Sequence, residues 1–199
     1  SGAGLEILGR IESKGTEDNR ITYTSMEGKE SSYWDEVSLQ QAGESSFVHS
    51  DFSYGTWGLH SHFTSLKVTG CRFMDNDGGI RFRSGPLAIS GSVFMKNRIA
   101  IRSFRGVGEI SRNEITANEI GIFVREKGAG LAIHYNNIYA NERYALWLGD
   151  FNRQEVDARH NWWGEDDLAA SIFDQADESY IGPVLFDPVL TSRVDIIAQ

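Results

Sequence analysis

Residues 66–84 read LKVTGCRFMDNDGGIRFRS, and residues 87–105 read LAISGSVFMKNRIAIRSFR. The two stretches align position by position, and three further segments follow the same pattern at 45–63, 108–126 and 131–149. Successive segments begin 21, 21, 21 and 23 residues apart. Self-similarity at a fixed period of this length indicates a repeat protein, in which each unit stacks on the next.

Three columns of apolar residues run through the five segments. Within each segment, apolar and polar residues alternate over stretches such as LKV and IRF, which predicts short strands with one buried face. A repeat of about 21 residues with two or three such strands predicts one coil of a parallel β-solenoid, with coils about 4.8 Å apart. The three columns are Phe47, Val68, Ile89, Ile110 and Ile133; Phe52, Phe73, Phe94, Ile115 and Ile138; and Leu59, Ile80, Ile101, Ile122 and Leu146.

Two polar columns accompany the apolar ones. Asparagine tolerates a left-handed backbone and can bond its amide to copies of itself in the coils above and below. We therefore interpret both columns as structural ladders at turns. The first column is Asn76, Asn97, Asn118 and Asn141, and the second, which points inward, is Ser50, Cys71, Ser92, Asn113 and Asn136.

Two motifs carry a family resemblance. They are the rhythm N-x-I-x-x-N, as in Asn113, Ile115 and Asn118, and the closing His-Asn-Trp-Trp-Gly of residues 160–164. The pattern resembles the right-handed parallel β-helix family with pectate-lyase-type repeats. Such repeats occur in secreted and periplasmic carbohydrate-associated proteins, so the resemblance implies an exported protein, whether periplasmic, cell-surface or extracellular. A left-handed β-helix would repeat in hexapeptides, and a leucine-rich repeat would carry a leucine signature that is missing here.

The predicted fold is all-β, a right-handed parallel β-helix of about six or seven coils. It spans residues 1–164, with clear repeats at 45–164 and irregular opening coils at 5–44. Both ends of a solenoid expose an open core and unpaired strand edges, which require caps. We predict a C-terminal cap at 165–199, where EDDLAASIFDQADES suggests a short amphipathic helix and the tryptophans of 162–163 cover the last coil.

Composition excludes several classes of protein. The chain has 199 residues, a net charge of −9 and one cysteine. A negative chain argues against a nucleic-acid partner, and a single cysteine excludes an internal disulfide and a thiolate zinc site. No window approaches the roughly 18 apolar residues of a transmembrane helix, so we expect no membrane insertion. The opening SGAGLEILGR lacks the regions of a signal peptide, so export is an expectation from the resemblance alone.

Two outward-facing columns form the candidate binding site. The residue after each member of the third apolar column points to solvent, as does the residue two positions further on. Residues 81–125 contain eight Lys or Arg and three Glu, whereas residues 150–187 contain two Arg and ten acids, so the charge is polarised along the solenoid. The predicted site residues are His60, Arg81, Arg83, Arg102, Phe104, Phe123, Arg125 and Trp147.

The chemistry of these columns suggests anionic glycan binding. Arginine binds carboxylate or sulfate in a bidentate manner, and aromatic rings offer a face to sugar C–H groups. We therefore expect a non-catalytic, exported surface or matrix module that binds an acidic polysaccharide, or docks a protein partner, along this face. The alternatives are long side chains that only shield the sheet, or a contact face in a structural spacer or assembly subunit of a longer protein.

A polysaccharide lyase or glycoside hydrolase is the second function considered. The resemblance implies that a lyase would use calcium-binding aspartates beside a catalytic Arg or Lys. The nearest match is Asp75 and Asp77 with Arg81 or Arg102. Two carboxylates are few for a calcium site, so a solvated turn is the preferred interpretation. We predict no catalytic residue and, apart from calcium near these aspartates, no cofactor.

Two other groups of polar residues have structural interpretations. In the column Asp77, Arg98 and Glu119, the arginine separates the two acids by two coils, about 10 Å, which favours an ion-pair ladder over a pair of hydrolase carboxylates. His60 and His62 lie at i, i+2 on one strand face, a spacing that can ligate a metal. Because no third ligand is evident, we interpret them as surface histidines.

Overall fold

Short strands form where the sequence alternates apolar and polar residues, and each pairs in parallel with its equivalent one coil away. The computed structural model describes residues 2–149 and 151–196, and over these residues it contains 22 strands and one α-helix. The strands of the first four coils are β1 Leu5–Ile7, β2 Glu12–Lys14, β3 Ile21–Tyr23, β4 Trp34–Gln40, β5 Glu44–Val48, β6 Ser50–Ser53, β7 Gly55–His62, β8 Ser65–Thr69, β9 Arg72–Met74, β10 Gly78–Arg83, β11 Pro86–Ser90 and β12 Val93–Met95. The later elements are β13 Ile99–Phe104, β14 Val107–Ser111, β15 Glu114–Thr116, β16 Ile120–Val124, β17 Leu131–His134, β18 Asn137–Tyr139, β19 Tyr144–Leu148, β20 Val156–Asp157, α1 Leu168–Ser171, β21 Ile172–Phe173 and β22 Val184–Leu185.

The strands form three parallel sheets. Sheet A takes the first strand of every coil, in the order β1, β4, β7, β10, β13, β16, β19 and β21. Sheet B takes the second strands, β2, β5, β8, β11, β14, β17, β20 and β22, and sheet C the third, from β3 to β18. Within the described residues, six coils are complete, and the third side of a seventh is a single bridge between Asn137 and Trp162. The predicted all-β solenoid is confirmed.

All three predicted apolar columns lie inside the solenoid in the predicted register. Each sheet contributes one column, and its members pair directly across adjacent strands, as Phe52 does with Phe73 and Phe73 with Phe94. The rings of these three phenylalanines stack with centroids 4.8 Å apart and planes within 3° of parallel. A glycine is required opposite them, because a Cβ at Gly58 would lie 2.7 Å from the Phe73 ring. The core is therefore a continuous stack along the axis.

The predicted asparagine ladder runs along the turn from sheet C to sheet A. The side-chain amide of Asn76 donates to Oδ1 of Asn97 over 3.1 Å, and Asn97 and Asn118 donate onward over 3.0 Å each, ending at Asn141. The residue before each asparagine has a left-handed backbone, with φ between 50° and 58°. Every side-chain amide thus satisfies buried hydrogen-bonding groups at its turn and links two neighbouring coils.

The second polar column is also a ladder, at the turn from sheet B to sheet C. Asn113 donates to Asn136 over 2.9 Å, and Asn136 donates to Asn161 over 3.0 Å, so the ladder extends one coil beyond the predicted column. Cys71 occupies an earlier rung, where its backbone N–H donates to Ser92 Oγ. Burial raises the pKa of the Cys71 thiol to about 11, as expected for an inert core thiol.

The segment after residue 164 continues the coil stack. The predicted amphipathic helix is limited to the single turn α1, whose N-cap is Asp167. β21 then pairs with β19 in sheet A, and β22 pairs with β20 in sheet B. The C-terminal cap over 165–199 stays a prediction. Residues 197–199 of that cap, and residues 1 and 150 of the predicted solenoid, lie outside the described residues.

The last described residues fold back along sheet C, which the repeat pattern did not predict. The N–H of Leu190 donates to the carbonyl of Asn161 over 2.9 Å. Further along, the N–H of Val194 donates to Oδ1 of Asn137 over 2.8 Å, and the Asn137 amide donates to the Val194 carbonyl over 2.9 Å. This return segment, residues 190–196, therefore crosses neighbouring coils and ties them together.

An ion pair anchors the return segment. Arg193 pairs with Glu114, a buried carboxylate that also accepts hydrogen bonds from Tyr139 and Asn137. Burial alone would raise the pKa of Glu114, but these three hydrogen bonds outweigh it and hold the pKa below its ordinary value. A carboxylate with a lowered pKa stabilises the fold above its unfolded pKa and loses that contribution as the pH falls.

Glu114→Gln is therefore expected to lower the free energy of unfolding by about 1 kcal/mol at pH 7 and by less at pH 3, since protonation of Glu114 as the pH falls weakens its charged hydrogen bonds. Urea denaturation at both pH values, followed by circular dichroism, measures the difference. Glu109→Gln, at an exposed position on β14, is the control and should be neutral at both. A destabilisation of Glu114→Gln that is equal at pH 3 and pH 7 would contradict the ion pair.

Candidate functional site

The outer face of sheet A holds all eight predicted site residues. In the first column, His60 on β7 lies beside Arg81 on β10, and Arg81 lies beside Arg102 on β13. The register continues from Arg102 to Phe123 and from Phe123 to Trp147. The second column is His62, Arg83, Phe104 and Arg125. The alternation of each strand therefore brings these side chains together, as predicted, and their role as ligands stays a prediction.

Four arginines on this face have no carboxylate partner among the residues that the structure describes. Arg81, Arg83, Arg102 and Arg125 form no ion pair with any described residue, whereas the nearby Arg98 pairs with Asp77. Burial lowers the pKa of the half-buried Arg102, and the positive charges of its neighbours lower it further. Like charges held together and partly desolvated are costly, and an anion would offset that cost.

Aromatic rings hold the guanidinium groups in place. The Arg83 guanidinium lies 4.9 Å from the centroid of the Phe104 ring, and the Arg125 guanidinium lies 5.9 Å from the same ring. The Arg102 guanidinium lies 5.6 Å from the Phe123 ring. Ring contact occupies the flat face of a guanidinium and leaves its in-plane N–H groups for bidentate binding of an anion. The same long side chains can therefore shield the sheet and bind an anion.

An open groove of about 320 Å³ lies between the arginines, a size suited to a small ligand or part of a polymer. Among the described residues that line the groove, the only carboxylate is that of Glu126, which is paired with Arg105 over 2.5 Å and so does not neutralise the other cations. The groove is lined by His62, Arg81, Phe82, Arg83, Arg102, Phe104, Arg125, Glu126 and Phe151.

A chain of hydrogen bonds leads from Glu36 into this groove. Glu36 Oε1 lies 2.6 Å from Nδ1 of His60, and Nε2 of His60 lies 2.9 Å from Nε2 of His62. His60 is only 9 % exposed and is thus less accessible than its outward position predicted. Burial lowers the pKa of His62, and His60, Arg81 and Arg83 lower it further against a smaller opposite effect of Glu36.

Aromatic residues extend the face beyond the groove. The rings of Phe123 and Trp147 stack with centroids 4.5 Å apart, and Phe173 on β21 meets Trp147 edge-on at 6.1 Å. An unpredicted apolar cluster of Trp57, Ile99 and Ile120 lies beside them. Its signal in the sequence is an apolar residue at the same outward position of several coils. Gly78 completes this column, because a Cβ there would lie 2.2 Å from the Trp57 indole.

The predicted ion-pair ladder is confirmed at Asp77 and Arg98, which form two hydrogen bonds of 2.6 and 2.9 Å. Asp77 raises the pKa of Arg98, and Glu119 adds to that effect. Calcium near Asp75 and Asp77 stays a prediction, and a cation there would compete with the Arg98 guanidinium. Over the described ranges, no group of three or more His, Cys, Asp or Glu side chains could hold a metal ion.

Comparisons with known proteins agree with the architecture. A family model described as "Right handed beta helix region" matches residues 57–176, which is 120 of the 199 residues. Comparisons with curated proteins and with solved structures find no match. In the described part of the chain, every helix is too short or too polar to cross a membrane.

Proposed function

The chain belongs to the right-handed β-helix family, and we propose that the outer face of its sheet A binds an acidic polysaccharide without cleaving it. One observation carries the proposal: four arginines without a described carboxylate partner surround an open groove. The proposal includes an exported location, at a cell surface or in a matrix. That part rests on the resemblance of the repeats to those of secreted and periplasmic proteins.

The geometry of a solenoid suits a linear polymer. Equivalent side chains recur once per coil, about 4.8 Å apart, so Arg81 and Arg102 stand one coil apart and Arg83 and Arg125 two coils apart. A chain of sugars with regularly spaced anionic groups can meet several guanidiniums at once. Where that chain continues along the axis, the stacked rings of Phe123 and Trp147 offer a face to its sugar C–H groups.

Affinity electrophoresis tests this function directly. The protein is run through gels that contain polygalacturonate, alginate, dextran sulfate or neutral dextran. Retardation by the acidic polymers and not by dextran is the expected result, because guanidinium groups recognise charge. Equal mobility in all gels would refute the proposal and favour a spacer or a module that docks a protein partner. Retardation by neutral dextran as well would assign the binding to the aromatic residues alone.

Arg102→Ala is expected to weaken dextran sulfate binding about tenfold or more while changing the free energy of unfolding by less than about 0.5 kcal/mol. Its guanidinium donates no hydrogen bond to a described side chain, and its removal relieves repulsion from Arg81 and Arg125. Arg98→Ala is the matched control, since Arg98 is bound to Asp77 and lies outside the groove. An Arg102→Ala variant that unfolds would instead make Arg102 a structural residue.

A further inference from the structure

The hydrogen bonds among Glu36, His60 and His62 dictate where protons lie. A carboxylate only accepts hydrogen bonds, so Nδ1 of His60 donates to Glu36 across the 2.6 Å contact. In a neutral imidazole the other nitrogen is then an acceptor. Nε2 of His60 therefore accepts from Nε2 of His62 over 2.9 Å, and a neutral His62 keeps its lone pair on Nδ1.

This arrangement singles out His62 as the histidine that can gain a proton. A proton on Nδ1 of His62 leaves both hydrogen bonds intact. A second proton on His60 would place two N–H donors face to face at 2.9 Å, which is repulsive. His60 is also nearly covered, whereas His62 lines the groove. Glu36 and His60 thus hold the His62 ring and can share the positive charge that it gains.

The surroundings of His62 make its charge depend on an anion. Burial, together with the positive groups that predominate around it, holds its pKa below the ordinary value of 6.5, so the neutral ring predominates at pH 7 in the free protein. An anionic group placed among the arginines would offset those charges and favour protonation. The charged and titratable groups that face His62 are Glu36 from β4, His60 from β7, and Arg81 and Arg83 from β10. Across the groove they are Arg102, Arg125 and the carboxylate of Glu126, which is paired with Arg105.

We propose that His62 is a fifth cationic ligand of the groove, which takes up one proton as a sulfate or carboxylate group binds, with His60 and Glu36 as its positioning residues. The inference rests on the proposed function, because it concerns the same anion site. Linkage gives the sign: a group that is protonated in the complex and neutral in the free protein makes affinity rise as the pH falls. Sulfate and uronate groups stay ionised at pH 5, so the gain in affinity at low pH comes from protonation of the protein and not of the polysaccharide.

Dextran sulfate is the probe, because its charge is constant from pH 5.0 to 7.5. Affinity electrophoresis of the full chain is expected to show binding about tenfold tighter at pH 5.0. His62→Gln should remove most of that difference, because the introduced amide cannot gain a proton. His49→Gln is the matched control, because His49 lies outside this groove, near Arg20. Circular dichroism at both pH values checks that each variant is folded.

Nuclear magnetic resonance gives a second readout, which follows the His62 imidazole through a pH titration. We expect its pKa to rise when dextran sulfate is added, and Glu36→Gln to lower it in the free protein. Retardation that is equal at both pH values, with no change in the titration, overturns this inference and leaves the proposed function standing. A loss of affinity in His62→Gln that is equal at both values also overturns it. If dextran sulfate retards the protein at neither pH 5.0 nor pH 7.5, the proposed function is refuted, and this inference with it.

Discussion

Phe94→Ala is expected to lower the free energy of unfolding by about 3–5 kcal/mol, since it removes a large, fully buried ring from the core. The ring is stacked on Phe73 at 4.8 Å and lies above Ile115 in the next coil. Backbone pairing holds the coils at a set spacing, so the neighbouring side chains cannot collapse into the cavity. The cost should therefore fall in the upper part of the range for such substitutions. Urea denaturation followed by circular dichroism measures it.

Phe63→Ala is the matched control, because the same side chain is removed from a position that is 55 % exposed. Its expected cost is below about 0.5 kcal/mol. Ile115→Ala, one coil further along the same column, should cost about 2–5 kcal/mol. If Phe94→Ala and Ile115→Ala were both as stable as Phe63→Ala, the assignment of these residues to a buried, stacked column in sheet C would be refuted.

The core could be predicted because every coil repeats the same chemistry at the same backbone position. A shift of the alignment by one residue would have turned Phe52, Phe73 and Phe94 to solvent, since side chains alternate along a strand. The structure stacks these three rings inside, so the repeat period was sufficient to assign the buried face. The same alternation placed Arg81 and Arg102 side by side on the outer face.

Features that do not repeat could not be predicted in this way. Glu36 lies in an opening coil, where the register between β4 and β7 shifts between Glu36 and Val37, so no aligned position marked it as a partner of His60. The return segment is similar, because the contact of Val194 with Asn137 joins residues 57 positions apart and involves no periodic pattern. The ion pair of Glu114 with Arg193 was likewise beyond the sequence, because Arg193 lies in the return segment, whereas the pair of Asp77 with Arg98 follows the repeat and was predicted.

Asn97→Ala tests the ladder that closes the turns and is expected to cost about 3 kcal/mol. The Asn97 amide donates to the carbonyl of Phe73 over 2.9 Å and to Oδ1 of Asn118 over 3.0 Å. Its own Oδ1 accepts from the backbone N–H and the side-chain amide of Asn76, at 3.2 and 3.1 Å. Truncation leaves several buried groups unpaired, each worth about 1–3 kcal/mol, although their contributions are not additive. Lys96→Ala, at the exposed neighbouring position, should be nearly neutral.

Asn97→Asp separates the hydrogen-bond pattern from the shape of the side chain. The introduced carboxylate has the size of the amide, but it cannot donate to Oδ1 of Asn118 or to the Phe73 carbonyl, and it places a charge in a buried ladder. Its pKa in the folded state should be raised, so the variant should be least stable at pH 7 and regain stability as the pH falls and a proton restores one donor. Urea denaturation from pH 7 to pH 4 measures this recovery, relative to the unmodified protein. If Asn97→Asp carried no penalty at pH 7, the ladder would tolerate a missing donor, and the stacking of coils would then depend on the apolar core alone.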